Sequence, residues 1–164
     1  CLGMQMAIVE FARHVLGYED ANSIELDPST KHPVIALMPD QESVEDLGGT
    51  LRLGSYPCVL ADSSKALELF GKKEIQERHR HRYEVNNAYR EELATKGMTI
   101  AGTSPDGHIV EMIEIKDHPF YEGTQGHPEF KSRPNYAHPL FRGFVKAADA
   151  YAKEKESRKQ QNKE

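Results

Sequence analysis

The sequence predicts an α/β layered domain, and three observations support that prediction. Segments with helical spacing alternate with short apolar runs typical of buried strands. No internal repeat or linker divides the 164 residues into two units. At 38% hydrophobic and 29% charged, the chain can bury a sizeable core and does not resemble a disordered tail.

Glycines and capping residues set the limits of the expected elements. The apolar run behind Cys1 predicts a nearly buried helix that Gly17 ends, and a later helix is capped by Ser63 or Ser64 and closed by Gly71. In chain order we expect a helix at 2–16, a strand at 34–37, an acidic loop at 38–49, strands at 50–54 and 57–61, a helix at 65–70, a strand at 81–85, a helix at 86–97, strands at 98–104 and 108–115, and a helix from His138.

The chain ends in a charged segment without apolar anchors. Residues 151–164 are therefore expected to be frayed or disordered, which leaves a domain at 1–150. The formal net charge of −5 gives no broad basic surface for nucleic acid or an anionic membrane. Apolar runs are far shorter than the roughly 20 residues that span a bilayer, and nothing resembles a secretory leader. We expect a cytoplasmic protein with no nucleic-acid or membrane partner.

Two cysteines could form at most one bridge, so a disulfide framework is not expected. Cys58 lies in the apolar run PCVLA and is predicted to be a buried core residue. Cys1 stands at the start of a helix, where unpaired N–H groups and the helix dipole favour the thiolate. There the N–H of Leu2 could donate to a developing oxyanion, and Gly3 would relieve crowding around the thiol.

A cysteine nucleophile needs a base and a group that orients the base. The segment QGHPEF offers His127 and Glu129, because Pro128 disfavours a helical backbone at His127 and keeps the pair extended. Residues i and i+2 of an extended segment share a face, so the imidazole and the carboxylate can lie side by side. The alternative is a surface turn with a solvated glutamate.

The run ERHRHRYEVN allows several interpretations. Its five central residues, Arg78 to Arg82, could form an exposed basic strand edge, and a phosphate or nucleic-acid patch has little support in an otherwise acidic chain. One arginine could instead point inward as a fork for a carboxylate. Metal binding by His79 and His81 would need further ligands, and no clear set accompanies them, so we expect no metal site.

Four segments, CLGMQMAIVEFARHVLG, DLGGTLRLG, ERHRHRYEVNN and HPEF, closely resemble the class I (triad-type) glutamine amidotransferase domain of CTP synthases. The resemblance runs from Cys1 to about Ala148. CLGMQ and HPE are shared by many triad amidotransferases, whereas GGTLRLG and RHRHRYEVN are more specific. The resemblance implies a three-layer, flavodoxin-like α/β fold that lacks its N-terminal strands in this chain.

The resemblance also implies roles for individual residues. Cys1 would attack the side-chain amide of L-glutamine to give a glutamyl thioester, His127 would carry the proton to ammonia, and Glu129 would orient His127. The implied glutamine-binding residues are Leu2, Gly3, Met4, Gln5, Glu25 and Arg82. Residues expected near a GTP activator and the lid that ends in GGTLRLG are Leu47, Thr50 and Arg52, with Arg82 beside them.

Partners and cofactors follow from the same resemblance. Ammonia would pass to a synthetase domain that uses ATP and Mg²⁺ to aminate UTP to CTP in a homotetrameric parent, with GTP as an allosteric activator. This chain contains no GxxxxGK[ST] phosphate loop and would itself need no cofactor.

Two departures from the family pattern stand out. Gly126 replaces the bulky aromatic that usually precedes HPE and is expected to loosen packing beside His127. The acidic lid is also shorter than in some members, so GTP control could differ.

The strand that leads into the cysteine, and the loop that gives a second oxyanion donor, precede the cysteine in this fold. Losing such a donor costs about 3 to 4 kcal/mol of transition-state stabilisation. We therefore expect a segment of a larger protein that is inactive or poorly folded alone.

Three alternatives remain open on the sequence alone. One is another triad glutamine amidotransferase. Another is an amidotransferase in which the α-amine of Cys1 is the base, although that chemistry needs Cys1 on a strand and no histidine. The last is a non-catalytic regulatory domain of the same fold.

Overall fold

The structure is a computed structural model that describes residues 1–37 and 52–161. Its α-helices are α1 (Leu2–Phe11), α2 (Lys65–Phe70), α3 (Arg90–Thr95) and α4 (Pro139–Gln161). A π-helical turn (Ala12–Leu16) extends α1, and 3₁₀ turns lie at Asn87–Tyr89 and Pro128–Phe130. The strands are β1 (Asn22–Ser23), β2 (Pro33–Ala36), β3 (Arg52–Leu60), β4 (Glu74–His81), β5 (Glu84–Val85), β6 (Met98–Thr103), β7 (Val110–Ile115) and β8 (Glu122–Thr124).

The strands form two sheets. The larger has the order β4-β3-β6-β7-β8, and all its pairs are antiparallel. The smaller has the order β1-β2-β5, with β1 parallel and β5 antiparallel to β2. After β4 the chain crosses from the larger sheet to the smaller one at Arg82 and Tyr83. This corner becomes part of the candidate site.

Two apolar clusters pack against opposite faces of the larger sheet. One cluster joins α1, α3 and the small sheet to one face, with Ile8, Ile35 and Leu93 fully buried. The other places α2 and the start of α4 on the opposite face, around Leu60 and Met112. Helices therefore cover both faces of the sheet, and the predicted three-layer α/β architecture is confirmed.

Local capping signals predicted the helix limits well. Gly17 and Gly71 both have positive φ, +82° and +67°, which a residue without a Cβ adopts at little cost. Of the two candidate caps, Ser64 is the one that acts, because its Oγ accepts a hydrogen bond from the N–H of Leu67 at 3.0 Å. Asn86 caps the turn before α3 in the same way, accepting from the N–H of Ala88.

The strand predictions needed correction. The runs TLRLG and PCVLA were expected as separate strands, but their described residues form the single strand β3. Pro57 is tolerated inside β3 because β3 pairs with β6 only at Val59 and Leu60. On that side of Pro57 there is no paired strand among the described residues, so its missing N–H breaks no β3–β6 hydrogen bond. The expected strand at 81–85 is divided between β4 and β5. The short strands β1 and β8 were not predicted at all.

Helix α4 is longer than predicted. Its residues 151–161 continue the helix and are exposed, which differs from the expected frayed tail, and residues 162–164 lie outside the described residues. Exposed i,i+4 ion pairs join Asp149 to Lys153 and Glu154 to Arg158, and such pairs favour helix. Within residues 1–37 and 52–161, no helix is both long enough and apolar enough to cross a membrane.

Candidate active site

Cys1 stands at the N-cap position of α1, as the sequence predicted. Its backbone nitrogen donates a hydrogen bond to the carbonyl of Thr124 in β8, and its own carbonyl accepts from the N–H of Gln5 at 3.2 Å. The thiol is half-buried, and its Sγ lies 4.0 Å from the carbonyl oxygen of Arg80. Cys1 therefore sits where α1, β8 and the end of β4 meet.

His127 and Glu129 are in direct contact, 2.7 Å between Nδ1 and Oε1. The predicted proximity is correct, but the backbone differs from the prediction. His127 is extended, with φ −113° and ψ 86°, whereas Pro128 begins a 3₁₀ turn that contains Glu129. Proline suits this first helical position because its fixed φ is helical and its missing N–H is not needed there.

The two ring nitrogens of His127 differ in their contacts, since only Nδ1 is bonded to Glu129. Nε2 is buried and has no hydrogen-bond partner among the described residues. The backbone N–H of His127 donates to the carbonyl of Arg78 at 2.8 Å, which fixes the loop to β4. Desolvation raises the pKa of Glu129, but the hydrogen bond from His127, a backbone hydrogen bond and the nearby positive charges together outweigh it, so the pKa lies below its usual value. Glu129 is therefore a carboxylate that can orient the imidazole.

Cys1 lines two neighbouring cavities. One, the His127 cavity, is lined by Cys1, Gly3, Met4, His127 and Glu129 among others. The second, the Arg82 cavity, is lined by Cys1, Leu2, Gln5, Glu25 and Arg82 together with Arg80, His81 and Tyr83. All residues that the sequence suggested for catalysis and glutamine binding thus surround one cysteine.

The residues around the Arg82 cavity differ in how freely they can meet a ligand. Arg82 is half-buried, and its Nε is buried without a hydrogen-bond partner among the described residues. Glu25 and Leu2 are exposed. Gln5 is buried, and its side-chain nitrogen already donates to the carbonyl of Tyr83 at 2.9 Å. Arg82 and Glu25, together with the exposed Arg80, are therefore the charged groups available to a ligand here.

Met4 and Gly3 line the His127 cavity for different reasons. Met4 is only 3% exposed and belongs to the core cluster under α1, so packing accounts for it. A Cβ added at Gly3 would meet no atom of residues 1–37 and 52–161 within 4 Å. Among these residues nothing crowds the position, so the predicted relief of crowding by Gly3 is not seen there, and the space beside it is the cavity itself.

Gly126 does not loosen the packing beside His127, contrary to the prediction. A Cβ at this position would lie 2.9 Å from Cβ of Glu77 and 3.3 Å from Oγ1 of Thr124. Gly126 also forms an antiparallel bridge with His79 of β4. The absence of a side chain lets the two backbones approach closely at this point.

Arg52, proposed from the sequence to lie near GTP, is engaged inside the protein. Its Nη1 is 2.6 Å from Oε1 of Glu111 and 3.7 Å from Oε1 of Glu84, and its guanidinium lies 4.3 Å from the ring centroid of Tyr56. A guanidinium committed to two buried carboxylates does not fit a direct GTP ligand. Leu47 and Thr50, the other two residues of that prediction, lie outside the described residues.

His79 and His81 complete this buried polar cluster. Nε2 of His81 is 2.8 Å from Oε1 of Glu84, and Nδ1 of His79 is 3.6 Å from Oε2 of Glu111. Desolvation, reinforced by the charge of Arg52, lowers the pKa of both histidines to about 3. Desolvation also raises the pKa of both glutamates to about 7, although the charge of Arg52 opposes that shift. In the parts of the chain that the structure describes, no cluster of three or more His, Cys, Asp or Glu residues could hold a metal ion.

Alternation along β4 separates the basic run into two sets. Arg78 and Arg80 are exposed, in agreement with an exposed strand edge, whereas His79 and His81 are buried. Cys58 is buried as predicted, and desolvation raises its pKa to about 12.

Sequence reasoning missed Gln125, which is completely buried two residues before His127. Its side chain meets Gln5, Tyr83 and Glu84. The i, i+2 spacing that paired His127 with Glu129 also applies to Gln125 and His127, and this spacing was the available signal.

The geometry defines a cysteine beside a histidine–carboxylate pair on an α/β scaffold, the arrangement of a triad hydrolase or transferase. The sequence profile of the family "Glutamine amidotransferase class-I" matches residues 1–147. The chain belongs to this family.

Within this family, the chain is similar in sequence to proteins named CTP synthase. The chain is 59% identical over 155 residues to a CTP synthase of Syntrophus aciditrophicus, covering 94% of this chain and 29% of that protein. It is 60% identical over 148 residues to a CTP synthase of Clostridium beijerinckii, covering 90% of this chain and 28% of that protein. The chain thus spans less than a third of the length of these relatives, and it matches their C-terminal part.

A solved structure agrees with the family and the fold. The glutaminase domain of Trypanosoma brucei CTPS with bound acivicin superposes with a TM-score of 0.85 at 34% identity, covering 91% of this chain and 58% of that one. The class I amidotransferase fold predicted from the sequence is confirmed by this match.

Proposed function

We propose that this chain is the glutamine-hydrolysing part of a CTP synthase. The observation that carries the proposal is the position of Cys1, which lines one cavity with the His127–Glu129 pair and a second with Arg82 and Glu25. A nucleophile, a base held in one orientation and two opposite charges for an amino acid converge on one point.

The first half of the reaction forms a thioester. The thiolate of Cys1 attacks the side-chain carbonyl carbon of L-glutamine, and the carbonyl oxygen takes up the negative charge. His127, protonated, gives its proton to the amide nitrogen, the C–N bond breaks, and ammonia departs. Glu129 supports this transfer, because a carboxylate 2.7 Å from Nδ1 fixes the orientation of the ring and leaves Nε2 without a hydrogen-bond partner among the described residues.

The second half restores the enzyme. Neutral His127 takes a proton from water as the water oxygen attacks the thioester carbon, the C–S bond breaks, and glutamate leaves. The thiolate is regenerated and His127 is again protonated, so the chain is ready for another cycle. The N–H of Leu2 is the proposed donor to the oxyanion in both halves.

Substrate selectivity would come from the Arg82 cavity. The guanidinium of Arg82 suits the α-carboxylate of L-glutamine, and the exposed carboxylate of Glu25 suits its α-ammonium group. The buried Nε of Arg82 has no partner in residues 1–37 and 52–161, and this supports the assignment because a bidentate carboxylate would satisfy it.

We further propose a role for this chain within a full-length CTP synthase, since the related proteins are more than three times as long as the matched region. Ammonia would be used by a synthetase domain of the same protein to aminate UTP to CTP with ATP and Mg²⁺, in a homotetrameric, cytoplasmic enzyme activated by GTP. No residue of this chain is assigned to ATP or Mg²⁺. Arg52 is not assigned to GTP either, because it is buried against Glu111 and Glu84.

The test measures glutamate release from L-glutamine by the full-length gene product, alongside Cys1→Ala and His127→Ala. We expect both substitutions to lower turnover at least a thousandfold, since a nucleophile and its base act as a unit. Cys58→Ala is the matched control, because its thiol is buried away from the cavities, and it should keep the wild-type turnover. Glutamate release that survives both active-site substitutions would disprove the triad.

The same experiment separates the alternatives. If the α-amine of Cys1 were the base, His127→Ala would leave turnover intact. The backbone nitrogen of Cys1 already donates a hydrogen bond to the Thr124 carbonyl, and this contact does not favour a role as the base. A regulatory domain of the same fold would release no glutamate in any variant.

A further inference from the structure

We propose that Gln125 is a positioning residue whose buried side-chain amide holds the Cys1 helix, the Arg82 corner and the His127 loop in one arrangement. This inference rests on the proposed function, because it names a residue that aligns the proposed catalytic and binding groups. Gln125 has no exposed surface, so it acts through protein contacts and not by touching the substrate.

Three hydrogen bonds of this amide reach two other parts of the chain. Its Oε1 accepts from Nε2 of Gln5 at 3.3 Å, one helical turn after Cys1. Its Nε2 donates to the carbonyl of Tyr83 at 3.2 Å and to Oε2 of Glu84 at 3.3 Å. Residues far apart in sequence are thus joined through one side chain.

Each of these bonds is close to a group with a proposed role. Tyr83 follows Arg82 directly, and its carbonyl also accepts from Gln5, so the corner that carries the guanidinium is held by two amides. Gln125 precedes His127 by two residues, and its own N–H donates to the carbonyl of Glu111 at 2.9 Å. A shift at Gln125 would therefore move the base and the carboxylate fork together.

The buried charges behind Gln125 keep it in place. Glu84 accepts from Gln125 through one oxygen and contacts His81 at 2.8 Å through the other. Arg52 lies 3.7 Å from Glu84 and is bonded to Glu111. Because a half-satisfied polar network is costly inside a protein, each member restricts where the Gln125 amide can lie.

The test compares Gln125→Met with wild type in the full-length gene product. Methionine has a similar volume but makes none of the three hydrogen bonds. Folded sites are counted by mass spectrometry as the chains in which buried Cys58 stays protected from iodoacetamide, because unfolding exposes that thiol. Per counted site, we expect kcat/KM for L-glutamine to fall about ten- to a hundredfold, with a lower kcat and a higher KM. Gln76→Met, the same change at an exposed position of β4, should alter neither.

The split between kcat and KM excludes a purely structural effect. Partial unfolding would raise the fraction of chains alkylated at Cys58 but would leave kcat and KM per counted site unchanged, and that result would overturn the proposal. If Gln125→Met leaves no site to count, Gln125→Glu replaces it. Glutamate keeps the shape but places an oxygen against the Tyr83 carbonyl and Glu84, so the same loss per site is expected.

A second readout needs no glutamine and so separates this inference from the proposed function. The rate of Cys1 alkylation against pH reports how well His127 stabilises the thiolate, and in Gln125→Met its midpoint should move up toward the ordinary thiol pKa of about 8.5. A shifted profile in a protein that releases no glutamate would retain the positioning role and reject the function. An unshifted profile would reject the positioning role.

Discussion

Replacing Glu122 by glutamine should make the stability of this protein less sensitive to pH. Glu122 lies directly opposite Glu114 across β7 and β8, and neither of its carboxyl oxygens has a hydrogen-bond donor among the described residues. Desolvation, helped by repulsion from Glu114 and opposed by Lys65, raises the pKa of Glu122 from 4.5 to about 8. The pair can gain a bond only by sharing a proton.

The sign and size of the effect follow from this shift. The folded chain holds the Glu122 proton more tightly than the unfolded chain, so the stability that this group contributes is fully present below pH 4.5 and is lost as pH rises toward 8. One pKa unit corresponds to about 1.4 kcal/mol, which sets an upper limit of about 4 to 5 kcal/mol. Solvent reaches part of the residue and screens the charge, so we expect about 1 to 2 kcal/mol between pH 5 and pH 8.

The assay is urea unfolding followed by far-ultraviolet circular dichroism at pH 5 and pH 8. Glu122→Gln should lose less free energy of unfolding between the two pH values than wild type does, because a neutral amide can donate to Glu114 at either pH. Glu84 and Glu111 also titrate, but they are present in both proteins and cancel in the difference. The exposed Glu74→Gln is the matched control and should follow wild type. Equal pH dependence in Glu122→Gln and wild type would refute this reasoning.

Three further predictions concern single residues. Arg82→Lys should raise KM for L-glutamine about tenfold or more with little change in kcat, because lysine cannot form the carboxylate fork, and steady-state kinetics would show it. Gly3→Ala should leave the free energy of unfolding unchanged or raise it by up to about 1 kcal/mol, and a loss of stability would contradict this. Its methyl group should enter the His127 cavity and slow glutamate release. Ser64→Ala should cost about 1 kcal/mol in urea unfolding by removing the cap on Leu67, with turnover per folded site unchanged.

Helix ends were predictable from the sequence because their causes are local. Gly17 and Gly71 adopt positive φ within a few residues of the helices they end, and Ser64 caps the helix that follows it. The strands β1 and β8 have two and three residues and exist only because β2 and β7 lie beside them. No short window of sequence contains that information, so a tertiary contact decided them.

The same distinction applies to the candidate site. His127 and Glu129 are two residues apart, and a prediction from spacing placed them side by side correctly. The contacts of Cys1 with Thr124 and of Gln5 with Tyr83 join residues 123 and 78 positions apart. Spacing could suggest the catalytic pair, but only the fold could reveal what holds it next to the cysteine.

The basic run in β4 illustrates why residue type alone misleads. As a composition it resembles an anion-binding patch, yet strand alternation turns His79 and His81 into the protein, where desolvation keeps them neutral, and leaves Arg78 and Arg80 outside. His81 then bonds to Glu84, and this contact closes the corner on which Arg82 stands. The buried histidine thus fixes the backbone beside Arg82, which lines a cavity with Cys1. Adjacent basic residues such as Arg80 and His81 therefore have different roles, because strand alternation exposes one and buries the next.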